Sequence, residues 1–428
     1  MEAQFDQNSL ILVSVDDHVI EPPGMFEGRL PARFEDRAPR VVHLDDGTDA
    51  WSFEGQMLSN VGLNAVAGRP PEDFNADPLA FDEMRSGCWN VHDRVRDMDA
   101  DGLLGTLCFP SFPQFCGQLF ARTADKDLAL AVVRAYNDWH IEEWAGSYPG
   151  RFIPLGVVPI WDPELMAAEV HRLARMGCHA VSFSENPYLI GLPSFHEPAW
   201  EPFWAACVEE GTVVCIHIGS SSTLPNPHPN CPIPLTFSIT PVNLLQAAVD
   251  LLWSPVFPKF PTLKIALSEG GIGWIPYMLE RVDYCYHRQG KWSGFDFGEL
   301  LPSDIFRRHF ITCFITDDVG LRLRDTIGLE RICWESDYPH SDSTWPGSPE
   351  SVARWAANVP RAEVDMITHL NAMREFQFDP WSVLAKEETT VGYLRSRAAD
   401  VPLTFEPPRR RDRSRKDSGE GYSIIMSR

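Results

Sequence analysis

The sequence predicts an α/β protein built as a (β/α)8 barrel, on the basis of its length, its eight short apolar runs and the amphipathic stretches between them. At 428 residues, 44% of them hydrophobic, the chain can bury a large core, either as one barrel or as two ordinary domains. Between residues 150 and 340, apolar runs alternate with amphipathic stretches of helical length, which is typical of repeated βα units around a parallel sheet. Eight such runs fit a closed barrel better than an open sheet.

The predicted strands are short runs of apolar or β-branched residues. They are residues 10–15, 105–109, 152–158, 180–183, 213–218, 263–268, 310–315 and 332–334. Amphipathic helices are predicted at 93–101, 162–176 and 274–286. Five tryptophans on helical stretches fit the core or a subunit contact better than a substrate site. They are Trp139, Trp144, Trp161, Trp200 and Trp204.

We assign residues 1–380 to the barrel domain, which leaves two segments outside the βα pattern. Residues 19–90 form an insertion after the first strand, with a predicted hairpin turn at 45–47. Long insertions in compact domains are commonly lids or subunit contacts, and we interpret this one as a cap over the barrel mouth. Residues 381–428 form a C-terminal extension that ends in a flexible tail or an intersubunit arm. The basic residues of that tail are Arg409, Arg410, Arg411, Arg413, Arg415 and Lys416.

The charge balance limits the possible partners. With 60 acidic against 37 basic residues, the formal net charge is −23, which repels phosphate backbones and anionic membrane surfaces. The first ten residues lack the basic region and apolar run of a secretory signal, and no later segment offers about 18 uninterrupted apolar residues. The ten cysteines form no CxxC pair. We therefore expect reduced thiols in a soluble cytoplasmic protein that binds neither nucleic acid nor a membrane.

Ionisable side chains follow the predicted first and fifth strands, at the barrel edge where functional groups converge. The first strand leads into Asp16, Asp17 and His18. Asp16 and His18 are two residues apart and share a face, whereas Asp17 points the other way. His217 ends the otherwise apolar fifth strand, beside small residues.

The predicted strands six and eight also end in ionisable residues. Glu269 follows strand six, and Asp337 and His340 follow strand eight. Taken singly, a His or Asp at a strand end often caps a helix or satisfies a backbone group. Carboxylate and imidazole groups that converge from strands one, five and eight would form a site for Zn²⁺ or Mn²⁺ with an open position for water or substrate.

Six short motifs occur in the order and spacing of a known family. The sequence resembles the amidohydrolase-related proteins, in the group that includes aminocarboxymuconate-semialdehyde decarboxylase and γ-resorcylate decarboxylase. The resemblance extends over nearly the whole chain, to about Pro380. It rests on VDDHVIEP at 15–22, RVRDMDADG at 94–102, Ile216-His217, LKIALSEGG at 263–271, WESDYPH at 334–340 and Asn371-Ala372.

The resemblance implies a metal-dependent enzyme that holds one divalent ion, with Zn²⁺ the first expectation and Mn²⁺ the alternative. By resemblance, Asp16 and His18 occupy the first-strand metal motif, and His217 is the fifth-strand ligand. Asp337 is the eighth-strand ligand and the proton-transfer residue. A homodimer or a higher homo-oligomer is the expected assembly.

One position departs from the family pattern. The decarboxylases place a histidine beside the metal at the end of strand six, whereas this chain has Glu269. A carboxylate cannot act there as a neutral donor unless burial or a neighbouring carboxylate raises its pKa. His340 either supplies the missing imidazole or hydrogen-bonds the backbone of its own loop, and the sequence does not choose. Weaker candidates are His92, Arg94, Arg96 and His309, and for the two arginines helix charge or a solvated face is the simpler explanation.

Two chemistries suit such a site. The resemblance favours a non-oxidative carboxy-lyase that acts on a small aromatic or unsaturated carboxylic acid. The alternative is a hydrolase of a C–N, C–O or C–C bond that uses metal-activated water, and the glutamate at position 269 and the long insertion favour it. On either hypothesis the catalytic residues are His217, Glu269, Asp337 and His340. Phe109, Phe112 and Phe115 follow the second strand and suggest a flat, apolar substrate.

Overall fold

The computed structural model describes residues 6–59, 61–74, 78–228 and 230–408, and the predicted basic run at 409–416 lies outside them. Twelve strands lie in this described part of the chain. They are β1 (Val13–Val19), β2 (Arg40–His43), β3 (Asp49–Phe53), β4 (Gln56–Leu58), β5 (Gly105–Pro110), β6 (Phe152–Ile153), β7 (Gly156–Val157), β8 (Ala180–Phe183), β9 (Val213–His217), β10 (Lys264–Ser268), β11 (Phe310–Phe314) and β12 (Ile332–Trp334).

The parallel strands form a (β/α)8 barrel, as the sequence predicts. Their order is β1-β5-β6 in one sheet and β7-β8-β9-β10-β11-β12 in the other. Backbone hydrogen bonds just beyond β12 connect it to β1. The amide of Asp337 donates to the carbonyl of Asp16 (2.9 Å), and the amide of His18 donates to the carbonyl of Tyr338 (2.7 Å).

The third strand position differs from the prediction. The sequence predicts one strand over 152–158, but the structure has two short strands, β6 and β7, separated by Pro154 and Leu155. Pro154 has no amide hydrogen to place in a ladder. The amide of Leu155 donates instead to Nε2 of His140 (3.3 Å). Burial lowers the pKa of His140 to about 3, so its ring is neutral and able to accept this hydrogen bond.

The helices begin and end where the sequence supplies capping residues. Asn90 and Asp162 accept hydrogen bonds from backbone amides at the starts of the first and fourth helices, and Gly102 ends the first with φ 77°. The predicted helices at 93–101, 162–176 and 274–286 are confirmed, and the last continues to Ser293. In the described residues the α-helices are α1 (Val91–Asp101), α2 (Gln118–Ala121), α3 (Lys126–Trp139), α4 (Pro163–Arg175), α5 (Glu201–Glu210), α6 (Ile233–Ile239), α7 (Pro241–Leu252), α8 (Val256–Lys259), α9 (Ile275–Ser293), α10 (Pro302–His309), α11 (Asp318–Arg322), α12 (Arg324–Ile327), α13 (Ser348–Ala356), α14 (Arg361–Asp365), α15 (Asn371–Glu375) and α16 (Val391–Ser396).

The core has an inner and an outer layer, because successive residues of a strand point to opposite sides of the barrel wall. One cluster contains Val13, Val15, Ala266 and other inward residues of the strands, and α15 and α16 add residues to it. The other cluster lies between the strands and the helices. The prediction that the tryptophans are core residues is confirmed: Trp139, Trp144, Trp200 and Trp204 are buried there, and Trp161 packs against the same layer.

The insertion after β1 contains a small antiparallel sheet in the order β2-β3-β4. The predicted hairpin turn is confirmed, and the amide of Gly47 donates to the carbonyl of Leu44 (2.9 Å) with Gly47 at φ 81°. Further along the insertion, the amides of Val66 and Ala67 both donate to the carbonyl of Pro339 (3.0 Å each). The insertion is therefore bonded to the loop that follows β12.

The C-terminal extension folds against the amino end of the barrel. The amide of Val391, at the start of α16, donates to the carbonyl of Leu10 (2.8 Å). The helical run 233–252 passes a length and composition test for a membrane span, with a mean hydropathy of 1.3. Buried core helices meet the same criteria, so one such run is weak evidence. All ten cysteines are free thiols, and eight of them are buried.

Candidate metal centre

Asp16 and His18 lie inside β1, and not after it as the sequence predicts. The predicted strand covers residues 10–15, whereas β1 covers Val13–Val19. It begins three residues later than predicted and ends four residues later. Asp16 and His18 share the inner face: Nε2 of His18 is 3.7 Å from Oδ1 of Asp16, and both side chains are fully buried. The register with β5 shifts between Ser14 and Asp17, so Asp16 lies within the irregularity, and His18 is paired with Phe109 just beyond it.

His217 ends β9 and faces the same point. Its Nδ1 donates to the carbonyl of Ile218 (2.6 Å), which assigns the proton to Nδ1 and leaves the Nε2 lone pair free for a metal. That Nε2 lies 3.2 Å from Nε2 of His18 and 3.5 Å from Oδ2 of Asp16. Nε2 of His18, Nε2 of His217 and a carboxylate oxygen of Asp16 therefore lie close enough together to bind the same metal ion.

Asp337 and His340 approach from the loop after β12. Oδ1 of Asp337 is 3.4 Å from Nε2 of His18 and 2.9 Å from Nδ1 of His340. The His340 ring lies over the His18 ring, with 3.9 Å between the centroids. The imidazole of His340 thus faces the candidate ligands, and its role there stays a prediction.

Glu269 reaches the cluster from the end of β10, and its Oε2 is 3.1 Å from Nε2 of His217. Its side chain is 12% exposed, more than those of the candidate ligands, which are buried. Glu269 and Asp337 both have left-handed backbone conformations, with φ 61° and 59°. Such conformations are uncommon for residues other than glycine, and they concentrate at functional sites.

The electrostatics of the site require a cation or bound protons. Burial, and then repulsion from neighbouring carboxylates, raises the pKa of Asp16 and Asp337 well above the ordinary value, and the same holds for Glu335 beside them. Burial and the nearby His340 and His217 lower the pKa of His18. A neutral His18 beside ionised carboxylates is the state that a divalent metal selects.

Several polar atoms of the cluster have no hydrogen-bond partner in the described structure. They are both carboxylate oxygens of Asp16, Oδ2 of Asp337, Nδ1 of His18 and Nε2 of His340, while Oδ1 of Asp337 has only its ion-pair contact with His340. Buried polar atoms are nearly always paired, so a group of unpaired ones needs an explanation. Two overlapping groups, Asp16 with His18 and His217 and His18 with Asp337 and His340, each bring their ligand atoms close enough together to hold a divalent ion.

A layer of polar contacts positions β1, and the sequence analysis missed it. Asp17 accepts hydrogen bonds from the hydroxyls of Ser14 (3.0 Å) and Thr106 (2.5 Å) and from the amide of Tyr338 (3.0 Å). Burial raises the pKa of Asp17 to about 6, and Arg94 partly opposes this. The prediction that Arg94 is a helix-surface charge is wrong: it is 1% exposed and donates to the carbonyls of Gly87 and His18.

The remaining weak candidates lie away from the cluster. His92 hydrogen-bonds Tyr148 near the surface (2.9 Å), and Arg96 pairs with Asp400. Nδ1 of His309 donates to the carbonyl of Leu263 (2.7 Å) at the amino end of β11. These residues have structural roles.

Two buried glutamates hold the loops around the site. Glu185 accepts hydrogen bonds from the amide of Gly219 (3.1 Å) and the hydroxyl of Ser221 (2.6 Å), and so fixes the turn after His217. Glu21 accepts from the amides of Ser111 and Phe112, at 3.0 and 2.7 Å. The only sequence signal for either is an acidic residue shortly after an apolar strand, and that signal does not separate a metal ligand from a residue that holds a loop.

The phenylalanines after β5 have two different positions. Phe109 and Phe115 pack against His217, with ring centroids 4.8 and 4.2 Å away. Phe112 stacks on Trp51 of the insertion at 4.2 Å. Phe112 and Phe115 line a cavity beside the cluster, as the sequence suggests for an apolar pocket, whereas Phe109 supports the histidines.

The sequence matches the family model described as amidohydrolase over residues 42–378. Two similar proteins are decarboxylases by name. 2-Amino-3-carboxymuconate-6-semialdehyde decarboxylase of Dictyostelium discoideum is 22% identical over 269 residues, which is 61% of this chain and 70% of that protein. γ-Resorcylate decarboxylase of Rhodococcus jostii is 25% identical over 342 residues, which is 74% of this chain and 95% of that protein.

Solved structures share the fold. An amidohydrolase from Mycobacterium avium subsp. paratuberculosis superposes with a TM-score of 0.67 at 20% identity, over 86% of this chain and 99% of that one. The 5-carboxyvanillate decarboxylase of Novosphingobium aromaticivorans, in complex with manganese and 4-hydroxy-3-methoxy-5-nitrobenzoic acid, gives a TM-score of 0.60 at 18% identity, over 87% and 99% of the two chains. These likenesses establish the architecture.

Proposed function

This chain belongs to the amidohydrolase family, and we propose that it is a metal-dependent, non-oxidative decarboxylase of a small aromatic or unsaturated carboxylic acid. One observation carries the proposal. Buried carboxylates and imidazoles from β1, β9 and the loop after β12 converge, and both carboxylate oxygens of Asp16 have no hydrogen-bond partner in the described structure. The decarboxylase names of the similar proteins support the choice of reaction.

Asp16, His18, His217 and Asp337 are the proposed ligands of one divalent ion. When bound, such an ion supplies a Lewis-acidic centre for a substrate carboxylate and an adjacent oxygen, or for a water molecule. The donor set suits zinc, our expectation from the sequence, and manganese alike. Because Glu269 adds a third carboxylate beside the ligands, and because the solved 5-carboxyvanillate decarboxylase contains manganese, we favour manganese.

Asp337 is the proposed proton donor to carbon. Its Oδ1 lies 2.9 Å from Nδ1 of His340, so a proton can pass between the two groups. The proton goes to the ring or vinyl carbon while the bond from that carbon to the carboxylate breaks, and carbon dioxide leaves with no change in oxidation state of the protein. We assign to His340 the role of returning a proton to Asp337 after each turnover.

Hydrolysis is the second candidate, and Glu269 is the observation that favours it. Its carboxylate is 3.1 Å from Nε2 of His217 and is partly open to solvent. A carboxylate in this position is suited to accept a proton from an attacking water, as a general base does. Decarboxylation at this site would release carbon dioxide, whereas hydrolysis would release the two halves of the cleaved ester, amide or C–C bond.

The test is elemental analysis of the purified protein, together with an activity panel of hydroxybenzoates, simple esters and amides before and after chelation. We expect about one equivalent of manganese or zinc and carbon dioxide release that chelation abolishes and metal restores. Ester or amide cleavage without carbon dioxide would establish the second candidate. A protein that takes up no metal under any loading condition would overturn both.

We further propose a homodimer or a higher homo-oligomer in the cytoplasm, with no nucleic acid or membrane partner. The acidic balance of the chain supports the absence of a nucleic acid partner. Light scattering measures the assembly, and a monomer at micromolar concentration would contradict it.

A further inference from the structure

A cavity lies next to the Phe115 ring, which packs against the proposed metal ligand His217. It has an empty volume of about 660 Å³, part of which is open solvent. The Phe115 ring forms part of the cavity wall. It also packs against the His217 ring, with 4.2 Å between the ring centroids and an interplanar angle of 31°. Gly219, two residues after His217, lines the cavity as well. The cavity is therefore separated from the proposed ligand His217 by the thickness of one aromatic ring.

The opposite wall comes from the insertion. Trp51 of β3 stacks on Phe112 with 4.2 Å between ring centroids and an interplanar angle of 26°, and both residues line the cavity. The other apolar lining residues include Leu58 and Val61, which are also in the insertion. Within the part of the chain that the structure describes, every lining residue is uncharged. These walls suit a flat, uncharged portion of a substrate.

Three consecutive serines follow Gly219, and they differ in what their hydroxyls contact. The hydroxyl of Ser220 donates to the carbonyl of His217 (2.6 Å), and that of Ser221 donates to Oε1 of Glu185 (2.6 Å). Ser222 lines the cavity, and its Oγ is buried without a hydrogen-bond partner in the described structure. Its backbone has φ 57°, a conformation that few residues other than Gly, Asn and Asp adopt.

We propose that Ser222, with the Trp51–Phe112 wall, forms a specificity subsite for the end of the substrate ring that lies away from the metal. The hydroxyl of Ser222 bonds an uncharged polar substituent of the ring, such as a hydroxyl or a methoxy group. The Trp51–Phe112 pair packs against the face or edge of the ring. This inference rests on the proposed function for the position of the substrate carboxylate, and it identifies the insertion as a source of specificity.

The subsite also excludes a class of substrates. A second carboxylate on the far side of the ring would enter an uncharged cavity and lose its hydration without a cation to replace it. The preferred substrates are therefore aromatic monocarboxylic acids that carry a neutral hydrogen-bonding substituent. Aromatic dicarboxylic acids are rejected.

The test compares the metal-loaded wild type with Ser222→Ala and Ser222→Gly. The probes are 2-hydroxybenzoate and its 2,3-, 2,4- and 2,5-dihydroxy analogues. For each dihydroxy acid, kcat/KM is divided by the value for 2-hydroxybenzoate, and calorimetry gives the corresponding ratio of binding constants. Alanine keeps the left-handed conformation at residue 222 and glycine removes its strain, so an effect common to both variants reports the hydroxyl alone.

We expect the wild type to prefer at least one dihydroxy acid by roughly tenfold to a hundredfold, and both variants to lose that preference. The effect on 2-hydroxybenzoate itself should stay within about threefold, because that probe has no far substituent to lose. Preferences that are unchanged in both variants would overturn the proposal. Turnover or binding of 2-hydroxyterephthalate comparable to that of 2,4-dihydroxybenzoate would also overturn it.

The two proposals fail in different ways. If no probe releases carbon dioxide but the binding ratios still depend on Ser222, then the decarboxylase proposal fails and the subsite stands. If carbon dioxide is released but neither ratio responds to Ser222, then the subsite fails and the decarboxylase proposal stands.

Discussion

Two groups of buried carboxylates, one at each end of the barrel, have opposite surroundings. At the amino end, Glu375 lies among Lys264, Arg331 and Arg374. Burial opposes its ionisation, but these cations outweigh burial and lower its pKa. At the carboxyl end, Asp16 and Asp337 lie among other carboxylates and imidazoles, and their pKa values are raised.

The same contrast holds for the buried histidines. His309 at the amino end donates to a backbone carbonyl and stacks on Phe257 at 4.2 Å. His18 at the carboxyl end has an unpaired Nδ1 and faces Asp16, Asp337 and His217. His309 has its hydrogen-bond partner, whereas His18, at the site where an additional ion is expected to bind, has an unpaired ring nitrogen.

Removal of a candidate ligand should have the largest effect on metal content and turnover, and removal of a structural histidine is the comparison. His217→Ala should lose the metal and at least about a thousandfold of turnover, because the reaction depends on the bound ion. His309→Ala is the matched control and should keep the metal stoichiometry while losing stability. Elemental analysis and carbon dioxide release measure both variants, and equal metal loss in the two would remove the distinction between the barrel ends.

Removing the proposed proton donor without changing its shape should have the next largest effect. Asp337→Asn keeps one potential ligand oxygen but cannot transfer a proton, so turnover should fall by about a hundredfold to ten-thousandfold with metal still bound. Stopped assays of carbon dioxide and metal analysis on the same sample give both quantities. Full activity in a metal-replete variant would exclude Asp337 as the proton donor.

Asp101 tests whether a buried carboxyl that is not part of the candidate metal site also lowers the free energy of unfolding. Burial raises its pKa to about 7, above that of the unfolded chain, so the folded state holds a proton that the unfolded state has released. Its contribution to stability therefore falls as the pH rises from about 4 to about 7 and is constant above that. Asp101→Asn keeps an acceptor for the amide of Ser348 and should gain up to about 4 kcal/mol over the wild type at pH 8.

The measurement for Asp101 is the free energy of unfolding by urea at pH 5 and pH 8. The advantage of the Asn variant should be clearly larger at pH 8. An advantage that does not change with pH would mean that Asp101 is not protonated in the folded state near neutrality.

The smallest expected effect is at the position that departs from the family pattern. Glu269→His should leave metal binding intact and change the turnover of carboxylic acids by about tenfold, since one nearby base replaces another. Esterase or amidase activity, where present, should decrease. Loss of the metal in this variant would show that Glu269 is itself a ligand.

Much of the site was predictable because its residues interrupt strongly apolar strands. His217 and Asp337 follow runs that have no other reason to end in an ionisable group, and the barrel brings such strand ends together. The structure places both beside Asp16 and His18, as expected. Which of these residues bind a metal remains a prediction until the metal is measured.

The limits of the prediction have physical causes. The boundary of β1 was missed because Asp16, Asp17 and His18 look like the end of a strand, whereas β5 continues alongside them and pairs with them. Arg94 looks like a surface charge in sequence, because burial depends on the carbonyls that surround it and not on its neighbours in the chain. Ser222 could not be separated from Ser220 and Ser221, since only the folded loop determines which hydroxyl remains unpaired.

The carbonyl of Pro339 links two parts of the molecule that the sequence holds far apart. It accepts the amides of Val66 and Ala67 from the insertion, and its loop carries both Asp337 and His340. A substrate that steadies the insertion is therefore expected to act on the proposed metal ligands through this oxygen and through the bond from Nδ2 of Asn64 to Oγ of Ser341. Thermodynamic reciprocity then requires that the metal tighten the substrate by the same factor by which the substrate tightens the metal.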